Sequence, residues 1–176
     1  NLLVLRPCDA NEAVIACKIA MEQKNRPSIV LLSRQGLPVL DRTIYENETN
    51  FRRGGYVISH SDNPDVVIFS SGSEISLSLD VKEKLNDYSV KVVNMGCWEL
   101  FDEQPQSYKD SVLKTENALL VSIEAGITNG WQKFTGRFGL NFGIDNYGAS
   151  APGDQVASHF KLTVEDITVK IKQNLK

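Results

Sequence analysis

Short apolar runs alternate along this chain with stretches of helical spacing, and this alternation constrains the fold more than any other feature. The first two runs, LLVL at residues 2–5 and SIVLL at residues 28–32, are typical of strands covered on both faces. Between them, Asp9 and Glu12 stand in the positions of a capping box, which predicts the start of a helix. Because a helical crossover joins parallel strands, residues 1–33 predict one β-α-β unit. A unit of this size cannot bury a core by itself, so it needs further strands.

A second and longer alternation begins at residue 56. Its apolar runs are YVIS at 56–59, DVVIF at 65–69, KVVNM at 91–95 and ALLVSIE at 118–124. Its predicted helices run from SGSE at 71–74 to about Asn86, near 105–113, after Ser150, and from Thr163 to Leu175. Alternating strands and helices predict an α/β domain over residues 56–176. Residues 34–55 show no sustained periodicity, so we interpret them as a linker.

Composition and charge exclude several classes of protein. The net charge of −3 argues against nucleic acid as the main partner, because nucleic-acid-binding surfaces are usually basic. No apolar stretch approaches the length of a membrane span. Cys8, Cys17 and Cys97 lack CxxC spacing, which indicates reduced thiols and a cytoplasmic location. His60 and His159 lie far apart with no cysteine beside them, which disfavours a zinc site.

Arg34 is the strongest single candidate for binding a ligand. It follows the predicted strand at residues 28–32, and parallel α/β sheets bind ligands outside the carboxyl ends of their strands. Its planar guanidinium can hold a phosphate through two parallel hydrogen bonds. The alternative interpretation is a surface arginine that is solvated or paired with Asp41 or Glu46.

Four other motifs have a structural interpretation that we favour over a catalytic one. SGSE at 71–74 could hold an anion at a helix start, but it lacks the lysine of a phosphate-binding loop and is better read as a turn with a capping serine. GASAP at 148–152 has proline where a nucleophile elbow needs glycine. EAG at 124–126 places a carboxylate at a strand end with no partner nearby in sequence, which favours a hydrogen-bonded loop anchor over a general acid. The glycines of GRFGLNFG at 136–143 do not match a dinucleotide fingerprint.

A series of longer motifs resembles one known family over essentially the whole chain. In order, they are RPCDANE (6–12), SRQGLPVL (33–40), RGGYVI (53–58), GSEISL (72–77), VVNMGCWELFD (92–102), EAGITNGW (124–131) and GIDNYGASAP (143–152). The series looks like the C-terminal part of a transketolase. The SRQ motif with its leucine-containing loop and the late YGASAP are its most specific pieces.

This resemblance implies an activity for a larger parent protein. Transketolases are cytoplasmic homodimers of the pentose phosphate pathway, which carry thiamine diphosphate and a divalent metal, Mg or Ca. They move a two-carbon ketol unit from a ketose phosphate to an aldose phosphate. The family's cofactor ligands and catalytic residues match no position here, so this fragment is expected to bind no cofactor and to be inactive alone. The resemblance assigns one site residue: Arg34 matches the arginine that binds the phosphate of the sugar substrate.

The resemblance also implies a division of the chain. Residues 1–40 would be the tail of the pyrimidine-binding domain, residues 41–55 a linker and residues 56–176 the C-terminal domain. The implied fold is α/β. It comprises a three-layer α/β/α C-terminal domain, whose mostly parallel sheet contains one antiparallel strand, preceded by an incomplete β-α-β piece.

Two alternatives differ in the class of parent or of function. The chain could come from a related thiamine-dependent enzyme, such as dihydroxyacetone synthase, 1-deoxyxylulose-5-phosphate synthase or the beta subunit of a 2-oxoacid decarboxylase. It could also be a non-catalytic binding or assembly module. The SRQGLP motif favours transketolase over its relatives, and the incomplete β-α-β unit argues against an independent module.

Overall fold

The computed structural model describes residues 1–175, and strands and helices alternate along most of this length. The strands are β1 Leu3–Leu5, β2 Ser28–Val30, β3 Tyr56–Ser59, β4 Val66–Ser70, β5 Val90–Asn94, β6 Leu119–Ile123 and β7 Leu140–Phe142. The α-helices are α1 Ala10–Glu22, α2 Glu74–Lys84, α3 Trp98–Asp102, α4 Gln106–Leu113, α5 Gln132–Thr135, α6 Gly153–His159 and α7 Val164–Asn174. A 3₁₀ helix covers Glu48–Arg53. Of the helices described, none is long and apolar enough to cross a membrane.

The first three elements form the predicted β-α-β unit. β1 and β2 pair in parallel, with Val4 opposite Ile29. Asp9 caps α1, because its Oδ1 accepts a hydrogen bond from the Glu12 N–H at 2.8 Å. Glu12 in turn accepts from the Cys8 N–H at 2.9 Å, one residue earlier than the usual capping box requires. The predicted strand–helix–strand order is therefore confirmed.

Five strands form the second sheet, in the order β3-β5-β4-β6-β7. β3 runs antiparallel to β5, whereas all the other neighbours are parallel. This arrangement confirms the mostly parallel sheet with one antiparallel strand. The carboxyl ends of four strands consequently lie at the same end of the sheet, which is where α/β proteins bind ligands.

Helices cover both faces of this sheet. Alternate residues of a strand point to opposite faces, and the central strand β4 accordingly sends Ile68 into one apolar cluster and Phe69 into another. The first cluster includes Leu79 of α2 and Ile167 of α7. The second contains residues of α3, α4 and α5, namely Phe101, Val112 and Phe134. These two clusters make the three-layer α/β/α arrangement that was predicted.

The segment between the two sheets is more ordered than the sequence indicates. It contains the 3₁₀ helix, and Phe51 within that helix is fully buried. The Phe51 ring packs so closely on Gly96 that a Cβ added there would lie 2.2 Å from a ring carbon. A six-residue 3₁₀ helix has too few turns to produce an apolar period, which explains why it was missed. The domain boundaries at residues 40 and 55 stay a prediction.

Some short elements also differ from the sequence-based expectation. α3, α5 and β7 were not predicted, and each is only three to five residues long. α6 begins at Gly153 with Pro152 in the N-cap position, so Ser150 does not cap it as expected. Thr163 does cap α7, because its hydroxyl accepts from the Asp166 N–H at 3.1 Å.

Candidate functional site

Arg34 lies in the exposed loop that follows β2, as the sequence predicted, although the strand ends at Val30, two residues earlier than expected. The loop starts with a local contact, in which the Ser33 hydroxyl donates to the Gln35 carbonyl at 2.8 Å. Among the side chains that the structure describes, no carboxylate lies within 4.0 Å of the Arg34 guanidinium. The paired form of the alternative interpretation, a salt bridge to Asp41 or Glu46, is therefore not formed, whereas its solvated form agrees with the exposed position of Arg34. Its guanidinium is available to an anion from outside this chain.

The far end of the Arg34 loop is fastened to the start of α1. Asp9 Oδ2 accepts a hydrogen bond from the Leu40 N–H at 3.2 Å and a charge-assisted one from Arg42 Nη2 at 2.8 Å. Near the start of the loop, Leu32 and Ser33 line a cavity of about 200 Å³ together with Asp9 and Leu37. The loop is thus hydrogen-bonded to the capping residue at one end and shares a cavity with it at the other.

Arg42 connects this loop to the C-terminal sheet. Besides Asp9, it donates to the Glu46 carbonyl at 2.8 Å and to the Tyr56 hydroxyl at 3.1 Å. Its Nη2 also lies 3.8 Å from Glu12 Oε1. Sequence reasoning missed this network because its members come from three separate segments, and each alone resembles a surface charge or a cap.

Glu12 is the acidic centre of the same network and is completely buried. Tyr56 donates its hydroxyl to Glu12, and Asn94 Nδ2 donates to its two carboxylate oxygens at 2.9 and 3.1 Å. Burial raises the pKa of Glu12, and the hydrogen bonds from Tyr56 and the Cys8 N–H oppose that rise. The β-α-β unit and the C-terminal sheet are therefore joined by buried hydrogen bonds as well as by apolar contact.

A second group of polar side chains gathers at the carboxyl ends of the strands. A cavity of about 210 Å³ opens there, and its lining includes Arg6, Trp98, Glu99, Glu124 and Trp131. Two motifs judged separately in the sequence meet beside it, since the Ser71 hydroxyl of SGSE donates to Glu124 Oε2 of EAG at 2.6 Å.

The environment of Glu124 raises the pKa of its carboxyl group. Burial raises its pKa to about 7, and nearby Glu74 adds to the rise, whereas the hydrogen bond from Ser71 and the charge of Arg6 oppose it. The sequence showed no partner for this carboxyl because Ser71 lies 53 positions away. The expected structural role, a hydrogen-bonded anchor for a loop, agrees with this contact.

The other sequence candidates lie apart from these groups. Ser73 occupies the N-cap position of α2 but makes no capping hydrogen bond, because its hydroxyl donates to the Glu74 carboxylate at 2.8 Å. The capping serine predicted for SGSE is thus wrong, although the turn itself is present. Residues 148–152 form an exposed irregular stretch before α6, which agrees with a structural loop. His60 is exposed beside Glu46, and His159 contacts the ring of Phe160.

Comparison with known proteins agrees with this architecture. A family model described as the transketolase-like TK C-terminal domain matches residues 54–163. The transketolase of Aquifex aeolicus is 42% identical over 174 residues, which are 97% of this chain and 25% of that protein. The chloroplastic transketolase of Solanum tuberosum is 43% identical over 178 residues, or 98% of this chain and 24% of that protein.

Solved structures give the same picture. The transketolase from Leishmania mexicana superposes with a TM-score of 0.89 at 33% identity, covering 99% of this chain and 25% of that one. A transketolase from Pichia stipitis in complex with sedoheptulose 7-phosphate gives a TM-score of 0.90 at 31% identity, with the same coverage. The chain spans about a quarter of the length of the curated relatives it matches.

Proposed function

The chain belongs to the transketolase family, and from this we propose that it is the C-terminal quarter of an enzyme that transfers a two-carbon ketol unit between sugar phosphates. The donor is a ketose phosphate and the acceptor an aldose phosphate. The observation that carries the proposal is the 42% identity to a transketolase along 97% of this chain. The reaction would belong to the pentose phosphate pathway.

We propose that this chain does not itself hold the cofactor of such an enzyme. Within residues 1–175, no three His, Cys, Asp or Glu side chains are grouped to hold a metal ion. The turn at Gly72 lacks the lysine of a phosphate-binding loop. We propose that thiamine diphosphate and its divalent metal, Mg or Ca, are held by the rest of the parent protein, and that this chain contributes to substrate binding.

That contribution is the binding of the sugar phosphate by Arg34. Three features support it: the residue follows the carboxyl end of a parallel strand, its guanidinium has no carboxylate partner among the described residues, and the far end of its loop is hydrogen-bonded to Asp9. A relative has been crystallised with a phosphorylated sugar. A guanidinium can hold the distal phosphate through two hydrogen bonds and so position the sugar carbonyl for reaction.

The proposed oligomeric state rests on the family resemblance, and the proposed cellular location rests on the cysteines. We propose a homodimer for the parent protein, as the family resemblance implies. Cys8 and Cys97 are buried and Cys17 is exposed, and all three are free thiols. Free thiols are typical of a reducing compartment, which supports a cytoplasmic location.

A comparison of two proteins tests the proposed activity. The full-length protein and a fragment of residues 1–176 are each assayed with thiamine diphosphate, magnesium, xylulose 5-phosphate and ribose 5-phosphate. We expect ketol transfer by the full-length protein and none by the fragment. Failure of the full-length protein to turn over these sugars would overturn the proposed function, and turnover by the fragment would overturn the assignment of the cofactor site to the remaining residues.

A further inference from the structure

We propose that Asp9 is a positioning residue for Arg34, and that through Arg42 it gives the C-terminal sheet a part in sugar-phosphate binding. This inference rests on the proposed function, because it assumes that Arg34 holds the phosphate. Asp9 itself is buried and contacts no substrate in this account. Its role is to fix the loop from which Arg34 reaches the ligand.

The contacts of Asp9 divide between its two carboxylate oxygens. Oδ1 accepts from the Glu12 N–H at 2.8 Å and so caps α1. Oδ2 accepts from the Leu40 N–H at 3.2 Å and from Arg42 Nη2 at 2.8 Å. One oxygen therefore serves the helix, and the other holds the end of the Arg34 loop. The two functions can be separated experimentally.

Arg42 extends this anchor into the C-terminal domain. It bonds Tyr56 of β3, whose hydroxyl is also hydrogen-bonded to Glu12, and Glu12 accepts from Asn94 of β5. The loop is consequently held against two elements at once, helix α1 and the edge of the five-stranded sheet. Through this connection, the C-terminal domain, to which the sequence assigned no site residue, would help to hold the Arg34 loop in place.

An anchored loop should bind phosphate better than a free one. Ordering a mobile loop and a long side chain on binding costs conformational entropy, and a loop that is already fixed avoids most of that cost. Arg34 itself is exposed and has no carboxylate partner among the described residues, so its placement depends on its loop. Loosening the anchor should therefore weaken phosphate binding without changing the reacting groups.

The test uses Asp9→Asn in the full-length enzyme. Asparagine can keep the oxygen that caps α1, since it is as good an N-cap residue as aspartate. Its amide group would then replace Oδ2 and face two donors, Leu40 N–H and Arg42. The matched control is Asp41→Asn, because the Asp41 carboxylate is exposed and, among the described residues, accepts hydrogen bonds only from Thr43 in its own turn.

We expect Asp9→Asn to raise KM for phosphorylated sugars on the order of 10-fold, below the 100-fold that a full ångström of misplacement can cost. Turnover of hydroxypyruvate with an unphosphorylated aldehyde should keep its kcat/KM, and Asp41→Asn should change neither. If Asp9→Asn does not fold, Arg42→Lys serves instead, since an ammonium keeps the charge but cannot reproduce the geometry of the guanidinium.

A double variant separates this inference from the proposed function. In the Arg34→Ala background, Asp9→Asn should add no further loss for phosphorylated sugars, because the group it positions is gone. A fully additive loss, or an equal loss for both substrate classes, would show that Asp9 acts only on stability and would overturn the inference. If Arg34→Ala alone causes no selective loss for phosphorylated substrates, the proposed phosphate binding by Arg34 has failed instead.

Discussion

Arg42 Nη2 lies 2.8 Å from Asp9 Oδ2, and both side chains are largely withdrawn from solvent, with 11% and 0% of their surface exposed. The pair joins the segment after the Arg34 loop to the first turn of α1. The Arg42 guanidinium lies beside two buried carboxylates, those of Asp9 and Glu12, and it is the only cation described at this junction. The junction should therefore be destabilised when Arg42 is removed. That sensitivity leads to the first prediction.

Arg42→Ala should destabilise the full-length protein by about 3 to 5 kcal/mol, because it leaves two buried carboxylates without the cation that lies beside them. The measurement is the shift in thermal unfolding temperature. Arg52→Ala is the control, since its pair with Glu22 is exposed at 42% and 58% and solvent screening leaves it a far smaller contribution to stability. Equal shifts for both variants would contradict the importance of the buried network.

Gly96→Ala should destabilise the protein by roughly 1 to 3 kcal/mol, the usual cost of overpacking a core. The added Cβ would lie 2.2 Å from the ring of Phe51, so the 3₁₀ helix would have to shift. Gly148→Ala provides a comparison, because nothing lies within 4 Å of a Cβ at that position. If the two variants melt at the same temperature, Phe51 is not packed on Gly96 as described.

The raised pKa of Glu124 predicts a dependence of stability on pH. Burial raises this pKa from 4.5 to about 7, so between these values the folded protein keeps a proton that the unfolded chain has lost. Stability therefore falls as pH rises from about 4.5 to about 7, by at most about 3 kcal/mol. Glu124→Gln should remove this contribution while retaining an oxygen for the Ser71 hydroxyl.

Unfolding temperatures of the wild type and Glu124→Gln, compared from about pH 5 to about pH 8, check this dependence. The variant should gain stability relative to the wild type as pH rises to about 7, and the difference should then level off. Glu116→Gln, at an exposed position, should follow the wild type throughout. A constant difference between Glu124→Gln and the wild type would contradict the raised pKa.

Most of the fold could be predicted because its main strands are continuous apolar runs. VVIFS and LLVSI are buried on both faces or nearly so, and they give a strong local signal in any context. β7 has only three half-buried residues at the edge of the sheet, and α3 has five residues. Such short elements are stabilised by their neighbours rather than by their own sequence, so local patterns did not reveal them.

The candidate site was predictable only in part, for a similar reason. The position of Arg34 after a strand depends on local sequence, and the structure places it in the loop that follows β2. The anchor depends on contacts between Asp9, Arg42 and Tyr56, which are 33 and 14 positions apart. Asp9 and Glu12 were predicted as capping residues, and they do stabilise the start of α1, but nothing local indicates that they are also buried against an arginine.

The role of Arg34 can be measured directly in the full-length enzyme. If Arg34 holds the sugar phosphate as proposed, Arg34→Ala removes charge-assisted hydrogen bonds worth roughly 1.5 to 3 kcal/mol, which corresponds to a loss on the order of 10- to 100-fold in kcat/KM for phosphorylated sugars. The loss should lie mainly in KM, because the phosphate is remote from the reacting carbon and does not change in the reaction. Arg34→Lys should recover only part of it, since one ammonium cannot replace the two-pronged contact.

The measurement that tests the account most directly is therefore kcat/KM of Arg34→Ala for two substrate pairs, xylulose 5-phosphate with ribose 5-phosphate and hydroxypyruvate with an unphosphorylated aldehyde. We expect a loss on the order of 10- to 100-fold for the first pair and almost no change for the second. An equal loss for both pairs would contradict phosphate binding by Arg34 and would leave this residue with a purely structural role in its loop.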